Sequence, residues 1–89
     1  MIAYRVVAAT TNGEEWFEDA VAADAAVARK LGVHPSTLES LRRRITADPI
    51  VVRRDGFRWR SRQVWNARSG EISVRVYEML QVDEAAYDH

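Results

Sequence analysis

The sequence contains no cysteine, and this absence excludes a disulfide framework and thiolate chemistry. It also lacks an apolar run approaching the roughly 20 residues that a membrane-spanning helix needs. The first residues do not combine a basic start, a long apolar middle and a cleavage site, so no secretory signal is evident. We therefore expect a cytoplasmic protein that does not enter a membrane.

Motifs for catalysis and for metal or cofactor binding are also missing. None of HExxH, CxxC, GxxxxGK[ST] or GxSxG occurs, and the two histidines are His34 and His89. The acidic residues have no partners at a spacing typical of a general acid and base. We expect a protein that is not an enzyme and holds no cofactor or metal, in which His34 is a turn residue or a DNA contact.

The composition indicates one soluble globular domain. The chain has 89 residues, of which 47% are hydrophobic and 29% charged. A domain of this size buries a little over about 60% of the surface that its unfolded chain exposes, which allows one modest core. We expect a single domain over residues 1–82, followed by an acidic and flexible tail over residues 83–89.

The formal net charge is zero, but charges of opposite sign are segregated along the chain. Residues 1–41 have three basic and six acidic side chains, and residues 69–89 have one arginine and five acidic side chains. Between them, residues 42–68 have nine arginines and two aspartates. Such segregation is typical of a surface that binds a polyanion. The alternative is an arginine-rich composition caused by codon bias, with the charges paired internally.

Residues 24–45 predict two short helices joined by a tight turn. Gly32 lies where the first helix must end and reverse, because glycine enters positive φ without steric cost. The first helix begins at Asp19 or Asp24, either of which is a plausible N-cap. The second runs from Pro35 to about Thr46, ahead of Pro49. The apolar positions of the two helices are Val27, Ala28, Leu31, Leu38, Leu41 and Ile45.

This stretch resembles the helix-turn-helix of phage repressors and related regulators. The resemblance covers about twenty residues and rests on Ala28, Leu31, Gly32, Val33, Leu38 and Leu41. A wider stretch, residues 4–60, is similar to the modular DNA-binding repeat appended to homing endonucleases, on the segments NGEEWF, ARKLGV and DGFRWR. The resemblance implies that the second helix enters the major groove of double-stranded DNA. Many such proteins bind as dimers, so it also allows a homodimer.

The exposed side of the second helix supplies the first candidate DNA contacts. Hydroxyl side chains near its start can reach phosphate or base edges, and Arg43 can reach guanine or phosphate. Glu39 departs from the basic pattern, since it could accept from a cytosine amino group or repel phosphate. The alternative for Arg42–Arg44 is a solvated helix C-terminus. The candidate residues are His34, Ser36, Thr37, Ser40, Arg43 and Arg44.

The N-terminal residues 2–18 predict a β-hairpin around Asn12-Gly13, because both residues tolerate positive φ. A two-residue turn there pairs Thr11 with Glu14, Ala9 with Trp16 and Ala8 with Phe17. Tyr4, Val6, Ala8 and Phe17 then share one face, and Val7, Ala9 and Trp16 share the other. Trp16 is either a core residue or a residue that covers a partner or a second copy of the chain.

A second hairpin is predicted over residues 50–61, around Asp55-Gly56. The turn pairs Arg54 with Phe57, Arg53 with Arg58, Val52 with Trp59 and Val51 with Arg60. Ile50, Val52, Phe57 and Trp59 then share a core face. The opposite face is arginine-rich and has the position of a wing that grips phosphates. Its candidate DNA contacts are Arg53, Arg58, Arg60 and Arg62.

Residues 62–82 are compatible with a strand or a helix. Ile72, Val74 and Val76 alternate with polar residues, and their β-branched side chains favour a strand, followed by a helical turn over residues 78–81. The helical alternative uses the spacing of Ile72, Val76, Met79 and Leu80. A strand here would complete the sheet or pair with a second subunit.

The predicted fold class is α+β, with an N-terminal β-hairpin, a central helix-turn-helix, a C-terminal wing-like β-hairpin and a further strand. The predicted function is that of a small double-stranded DNA-binding protein of the transcriptional or phage-type regulators. The alternative is a protein interaction module whose basic face docks an acidic partner. A third option is RNA binding through exposed Trp or Phe residues of a hairpin.

Overall fold

The computed structural model describes residues 1–9 and 13–82. It is an α+β fold, as expected, in which the described residues form two helices and one antiparallel six-stranded sheet. The elements are β1 (Ile2–Ala8), β2 (Glu14–Phe17), α1 (Ala20–Leu31), α2 (Pro35–Leu41), β3 (Arg42–Arg44), β4 (Ile50–Arg54), β5 (Phe57–Ser69) and β6 (Ile72–Gln81). The predictions for Thr11, Asn12 and the tail 83–89 lie outside the described residues.

The sheet is organised around the two long strands β5 and β6. Its strand order is β2-β1-β6-β5-β3, and β4 also pairs with β5. The N-terminal half of β5 pairs with β4, through Ile50↔Ser61 to Arg54↔Phe57. The C-terminal half of the same edge pairs with β3, through Arg42↔Ala67 to Arg44↔Trp65. β6 therefore lies inside the sheet, between β1 and β5.

The helices cover one face of the sheet and bury the main core there. α1 contributes Ala23, Val27 and Leu31 at three- and four-residue spacing, and α2 contributes Leu38. The strand residues of this core are Val6, Ala8, Trp65, Ala67, Val74 and Val76. Because the β5 residues among them come from its C-terminal half, the helices leave the N-terminal half of β5 uncovered on this face.

A second, smaller cluster lies on the opposite face of the sheet. Trp16 and Trp59 meet edge to face with ring centroids 5.1 Å apart, and the Arg54 guanidinium lies 4.2 Å from the Trp16 ring centroid. Trp16 belongs to β2 and Arg54 to β4, which are not neighbours in the sheet. The sheet must therefore curl strongly toward this face for the two side chains to touch.

The caps of both helices follow the predicted chemistry. The Asp19 carboxylate accepts a 2.7 Å hydrogen bond from the Ala22 N–H, so α1 begins at the earlier of the two predicted N-caps. Gly32 ends the helix with φ 68°, in the left-handed region. His34 is the N-cap of α2, because its Nδ1 accepts from the Ser36 N–H at 3.1 Å. The interpretation of His34 as a turn residue is confirmed.

The second helix is much shorter than predicted, because it ends at Leu41 and residues 42–44 form β3. The extended backbone pairs with the edge of β5 and places the Arg42 guanidinium 4.1 Å from the Trp65 ring centroid. Arg42 also donates a 2.9 Å hydrogen bond to Asp24. A helix that continued past Leu41 would lose these contacts. The prediction of a helix to Thr46 is therefore wrong, and Ile45 is not part of a helical stripe.

The register of the first hairpin differs from the prediction. The observed pairs are Val7↔Glu14, Val6↔Glu15, Arg5↔Trp16 and Tyr4↔Phe17. Trp16 therefore does not face Ala9, and Phe17 does not face Ala8. The register brings Trp16 against Trp59, and this packing outweighs the preference for a two-residue turn at Asn12-Gly13. The shift changes each pair by an even number of residues, so Tyr4 and Phe17 still share a face, as predicted.

The second hairpin has the predicted register throughout. Arg54↔Phe57, Arg53↔Arg58, Val52↔Trp59 and Val51↔Arg60 are paired around a turn in which Asp55 and Gly56 have φ of 53° and 82°. Its predicted core face is only partly buried. Trp59 is buried and Val52 half-buried, but Ile50 and Phe57 are 63% and 47% exposed. Ile50 and Phe57 are therefore not core residues.

The last described element is a strand over its whole length, from Ile72 to Gln81. The preference for a strand is confirmed, and the predicted helical turn over residues 78–81 is wrong. The extended backbone buries Met79 completely beside Ala3 and Trp59. Because β6 pairs with β1 and β5 of its own chain, it completes the sheet rather than pairing with a second subunit.

Candidate nucleic-acid interface

Four arginines lie on the part of the sheet that the helices leave uncovered, on the same face that the helices cover elsewhere. We call this surface the arginine face and define it by Arg53, Arg58, Arg60 and Arg62. These side chains point to one side, because Arg53 pairs with Arg58 and the three β5 arginines alternate with residues of the opposite face. The sequence prediction that these four arginines share a face is confirmed.

Cross-strand pairing fixes which residues accompany the arginines. Arg60 lies between Leu80 on β6 and Val51 on β4, and Leu80 in turn pairs with Ile2. The exposed fractions of Ile2, Leu80 and Val51 are 49%, 40% and 61%. In the neighbouring row, Arg62 pairs with Glu78. The face thus combines a basic row along β5 with an apolar row that crosses it.

The spacing along β5 suits a repeating anion. Arg58, Arg60 and Arg62 recur every second residue, or about 6.7 Å. Arg53 adds a guanidinium directly opposite Arg58, so two like charges lie side by side at this end of the row. A regular row of guanidinium groups matches the regular row of phosphates in a nucleic acid backbone.

Among the residues that the structure describes, carboxylates neutralise Arg53, Arg60 and Arg62 only weakly. Arg62 Nη2 lies 3.3 Å from Glu78 Oε1, and the two side chains are 51% and 39% exposed, so this ion pair is weak. In the part of the chain that the structure describes, Arg53 and Arg60 form no ion pair. These two exposed guanidiniums are therefore available to an external anion.

The candidate residues of the second helix lie away from this face. The Ser36 hydroxyl is 2.8 Å from His34 Nδ1, and the Ser40 hydroxyl donates to the Thr37 carbonyl at 2.7 Å. The C-terminal end of α2 leads directly into Arg42, which pairs with Ala67. Ala67 is seven residues, or roughly 20 Å, from Arg60 along β5. The structure therefore does not bring His34, Ser36, Thr37 and Ser40 together with the arginines of the hairpin.

The pleat of β3 separates the two remaining candidates. Arg44 pairs with Trp65 on the helix side of the sheet, whereas Arg43 pairs with Asn66 and points to the opposite face. Arg43 is thus not on a recognition helix and does not join the arginine face. Arg44 lies in a groove that also reaches Arg62. The prediction that Arg43 projects from the exposed side of the second helix is wrong.

The structure adds features that sequence reasoning missed. The groove between the N-terminal half of α1, residues 45–47 and the sheet has a volume of about 560 Å³. A second cavity of about 350 Å³ follows it and is lined by Pro49, Arg60, Arg62, Glu78 and Leu80. If the sequence prediction had continued the strand of residues 72–76 to Gln81, it would have placed Leu80 beside Arg60. No sequence signal marks the groove, because loop, helix and sheet all contribute to it.

The aromatic residues of the hairpin are mostly occupied by packing. Trp59 is 8% exposed and packs on Trp16, so neither ring offers an open face of the kind that stacks on a base. Of the two aromatic residues of the hairpin, only Phe57 is largely exposed. The hairpin therefore presents one exposed aromatic ring and no row of open aromatic faces.

Comparisons of the chain with protein-family models, with curated proteins and with solved structures find no match. Within residues 1–9 and 13–82, no helix is long and apolar enough to cross a membrane. The same residues contain no group of three or more His, Asp or Glu side chains that could hold a metal ion.

Proposed function

We propose that this protein binds double-stranded DNA through the arginine face. The observation that carries the proposal is the projection of Arg53, Arg58 and Arg60 from one uncovered sheet surface. Guanidinium groups bind phosphates in a bidentate manner and are more weakly hydrated than ammonium groups. The DNA-binding function expected from the sequence is kept, but the contacting element is the sheet end formed by β4 and β5.

The shape of this sheet end supports the proposal. The major groove of B-DNA is about 12 Å wide and admits a two-stranded β-ribbon. The β4–β5 hairpin ends in a tight turn at Asp55-Gly56 and presents its arginines on one side. By contrast, α2 has seven residues and no basic side chain, and its Glu39 is exposed. The hairpin, and not α2, is therefore the proposed DNA contact.

Substitution of single arginines tests the proposal. Fluorescence anisotropy with a labelled random duplex at low salt should show that Arg53→Ala and Arg60→Ala each weaken binding by about tenfold, the loss of one charge-assisted contact. Arg43→Ala is the matched control, because it removes the same charge from the opposite face and should change affinity less than about twofold. Equal losses in all three variants, or no duplex binding by the unmodified protein, would reject the proposal.

A second candidate function is docking of an acidic protein partner. It is favoured by the exposed apolar row of Ile2, Leu80 and Val51, which phosphates would not use. A synthetic amphipathic helix with a leucine stripe flanked by glutamates is a suitable probe. Leu80→Gln should abolish its binding and leave duplex affinity unchanged. If the helix binds while random duplex does not, the docking function replaces the DNA-binding function.

A further inference from the structure

The groove of about 560 Å³ lies within the size range of small-molecule sites, which is about 300–1,000 Å³. It is separate from the arginine face except for Arg62, which lines both. One wall is the N-terminal half of α1, and the floor is the sheet around Trp65. Residues 45–47 form the remaining side. A ligand there would be held by three parts of the chain.

The charges of the groove leave one guanidinium unpaired. Three arginines and two carboxylates line it. Arg42 donates to Asp24 at 2.9 Å, and Arg62 lies 3.3 Å from Glu78. Arg44, the third, forms no ion pair with any residue that the structure describes. The groove therefore has a net positive charge at Arg44 and favours an anion.

The rest of the lining is suited to an apolar body. Ile45, Ala47 and Val64 contribute half-buried aliphatic side chains, and half-buried Tyr4 brings a ring with a hydroxyl that can donate or accept a hydrogen bond. Trp65 is 4% exposed, and the guanidinium of Arg42 covers it, so its ring is part of the floor and does not stack on a ligand. The groove therefore offers both apolar side chains and polar groups to a small organic molecule.

We propose that this groove binds a small organic anion in which a phosphate or carboxylate head is joined to a planar apolar body. Arg44 binds the head, with Arg62 as its second guanidinium. The body lies against Ile45, Ala47 and Val64, with the Tyr4 hydroxyl at its edge. This inference does not depend on DNA binding, because the groove is complete without a duplex.

Phenyl phosphate is the probe, and the three tryptophan indole N–H resonances in a ¹H–¹⁵N NMR spectrum are the readout. Trp65 lines the groove, whereas Trp16 and Trp59 pack on the opposite face of the sheet. Titration should move the Trp65 resonance saturably and leave the other two in place. Inorganic phosphate and phenol, which each carry one half of the probe, should bind at least about tenfold more weakly, because each loses one set of contacts.

Arg44→Gln should weaken phenyl phosphate binding by about tenfold, and Arg43→Gln, its neighbour on the opposite face, should not. Both residues are exposed, so a dispersed spectrum is expected for each variant. The inference is overturned if no saturable shift occurs up to about 10 mM, where even millimolar ligands are largely bound. It is also overturned if the three indoles move together, if inorganic phosphate or phenol binds equally well, or if both variants behave alike.

Discussion

Replacing Arg42 by alanine tests why the chain leaves the second helix at Leu41. The Arg42 side chain is 12% exposed, lies over the Trp65 ring and donates a 2.9 Å hydrogen bond to Asp24. Its Nε is buried and lies 3.3 Å from Glu39 without an aligned hydrogen bond. Alanine removes all of these contacts and leaves the Asp24 carboxylate without its cation.

The expected loss of stability follows from these contacts. A hydrogen bond between charged groups contributes about 1.5–3 kcal/mol, and a cation–π contact of this kind contributes about 1 kcal/mol. Because Asp24 is 36% exposed, solvent screens part of the ion pair, and we expect a total loss of about 2 kcal/mol in the free energy of unfolding. For a domain of 89 residues this corresponds to a decrease in Tm of about 8–16 °C.

Urea unfolding followed by tryptophan fluorescence measures the change in the free energy of unfolding. Arg43→Ala is the matched control, because Arg43 is exposed and should cost less than about 0.5 kcal/mol. A double-mutant cycle of Arg42→Ala with Asp24→Ala should give a coupling energy of about 1 kcal/mol. If Arg42→Ala is no more destabilising than Arg43→Ala, the stacked and paired arginine is not what ends the helix.

Three further outcomes are expected. Lys30 lowers the pKa of Glu15 through a 2.7 Å ion pair, so this pair stabilises the fold above the ordinary glutamate pKa and is lost as pH falls through the lowered value. Glu15→Gln should therefore cost about 0.5 kcal/mol in urea unfolding at neutral pH and nothing in strong acid, and equal costs at both would contradict this. Glu78→Gln releases Arg62 and should tighten duplex binding up to about fivefold in anisotropy, whereas weaker binding would speak against the arginine face. Asp19→Ala should destabilise the protein by about 1 kcal/mol through loss of the α1 N-cap, and a neutral result in urea unfolding would reject that cap.

The two hairpins show what local sequence determines. Asp55-Gly56 fixes the register of β4 and β5, because both residues adopt positive φ and no packing partner opposes that register. Asn12-Gly13 carries the same signal, but the strands pair four residues out of the predicted register. Packing of Trp16 on Trp59 involves residues far apart in sequence, so the local turn preference could not reveal it.

The boundary after Leu41 shows a different limit. The prediction of a helix to Thr46 rested on Pro35 at its start, on Pro49 beyond its end and on the apolar spacing of Leu38, Leu41 and Ile45. In the structure, the Arg42 side chain contacts the Trp65 ring and the Asp24 carboxylate, and its backbone pairs with the edge of β5. All three partners belong to other elements. Helix propensity is a weak prior that tertiary contacts override, and these contacts were not visible in the sequence.

The candidate site also has a part that the sequence predicts and a part that it does not. The common face of Arg53, Arg58 and Arg60 follows from period-two alternation around a recognised turn, so sequence was sufficient. The position of that face relative to α2 and Arg43 depends on how the helices pack along β5. The sequence alone was not sufficient to predict that position. The groove at Arg44 has contributions from a helix, a loop and a sheet, and such a site becomes visible only with the fold.

The most direct test of DNA binding through the arginine face is the salt dependence of duplex affinity. A plot of log affinity against log salt concentration has a slope of about −0.9 per neutralised phosphate, so three to four face arginines predict a slope of about −2.7 to −3.6. The Arg53→Ala/Arg60→Ala double variant should flatten this slope by about 1.8, and the Arg43→Ala/Arg75→Ala double variant, on the opposite face, should leave it unchanged. A slope near zero, or equal flattening by the two double variants, would contradict duplex binding through the arginine face.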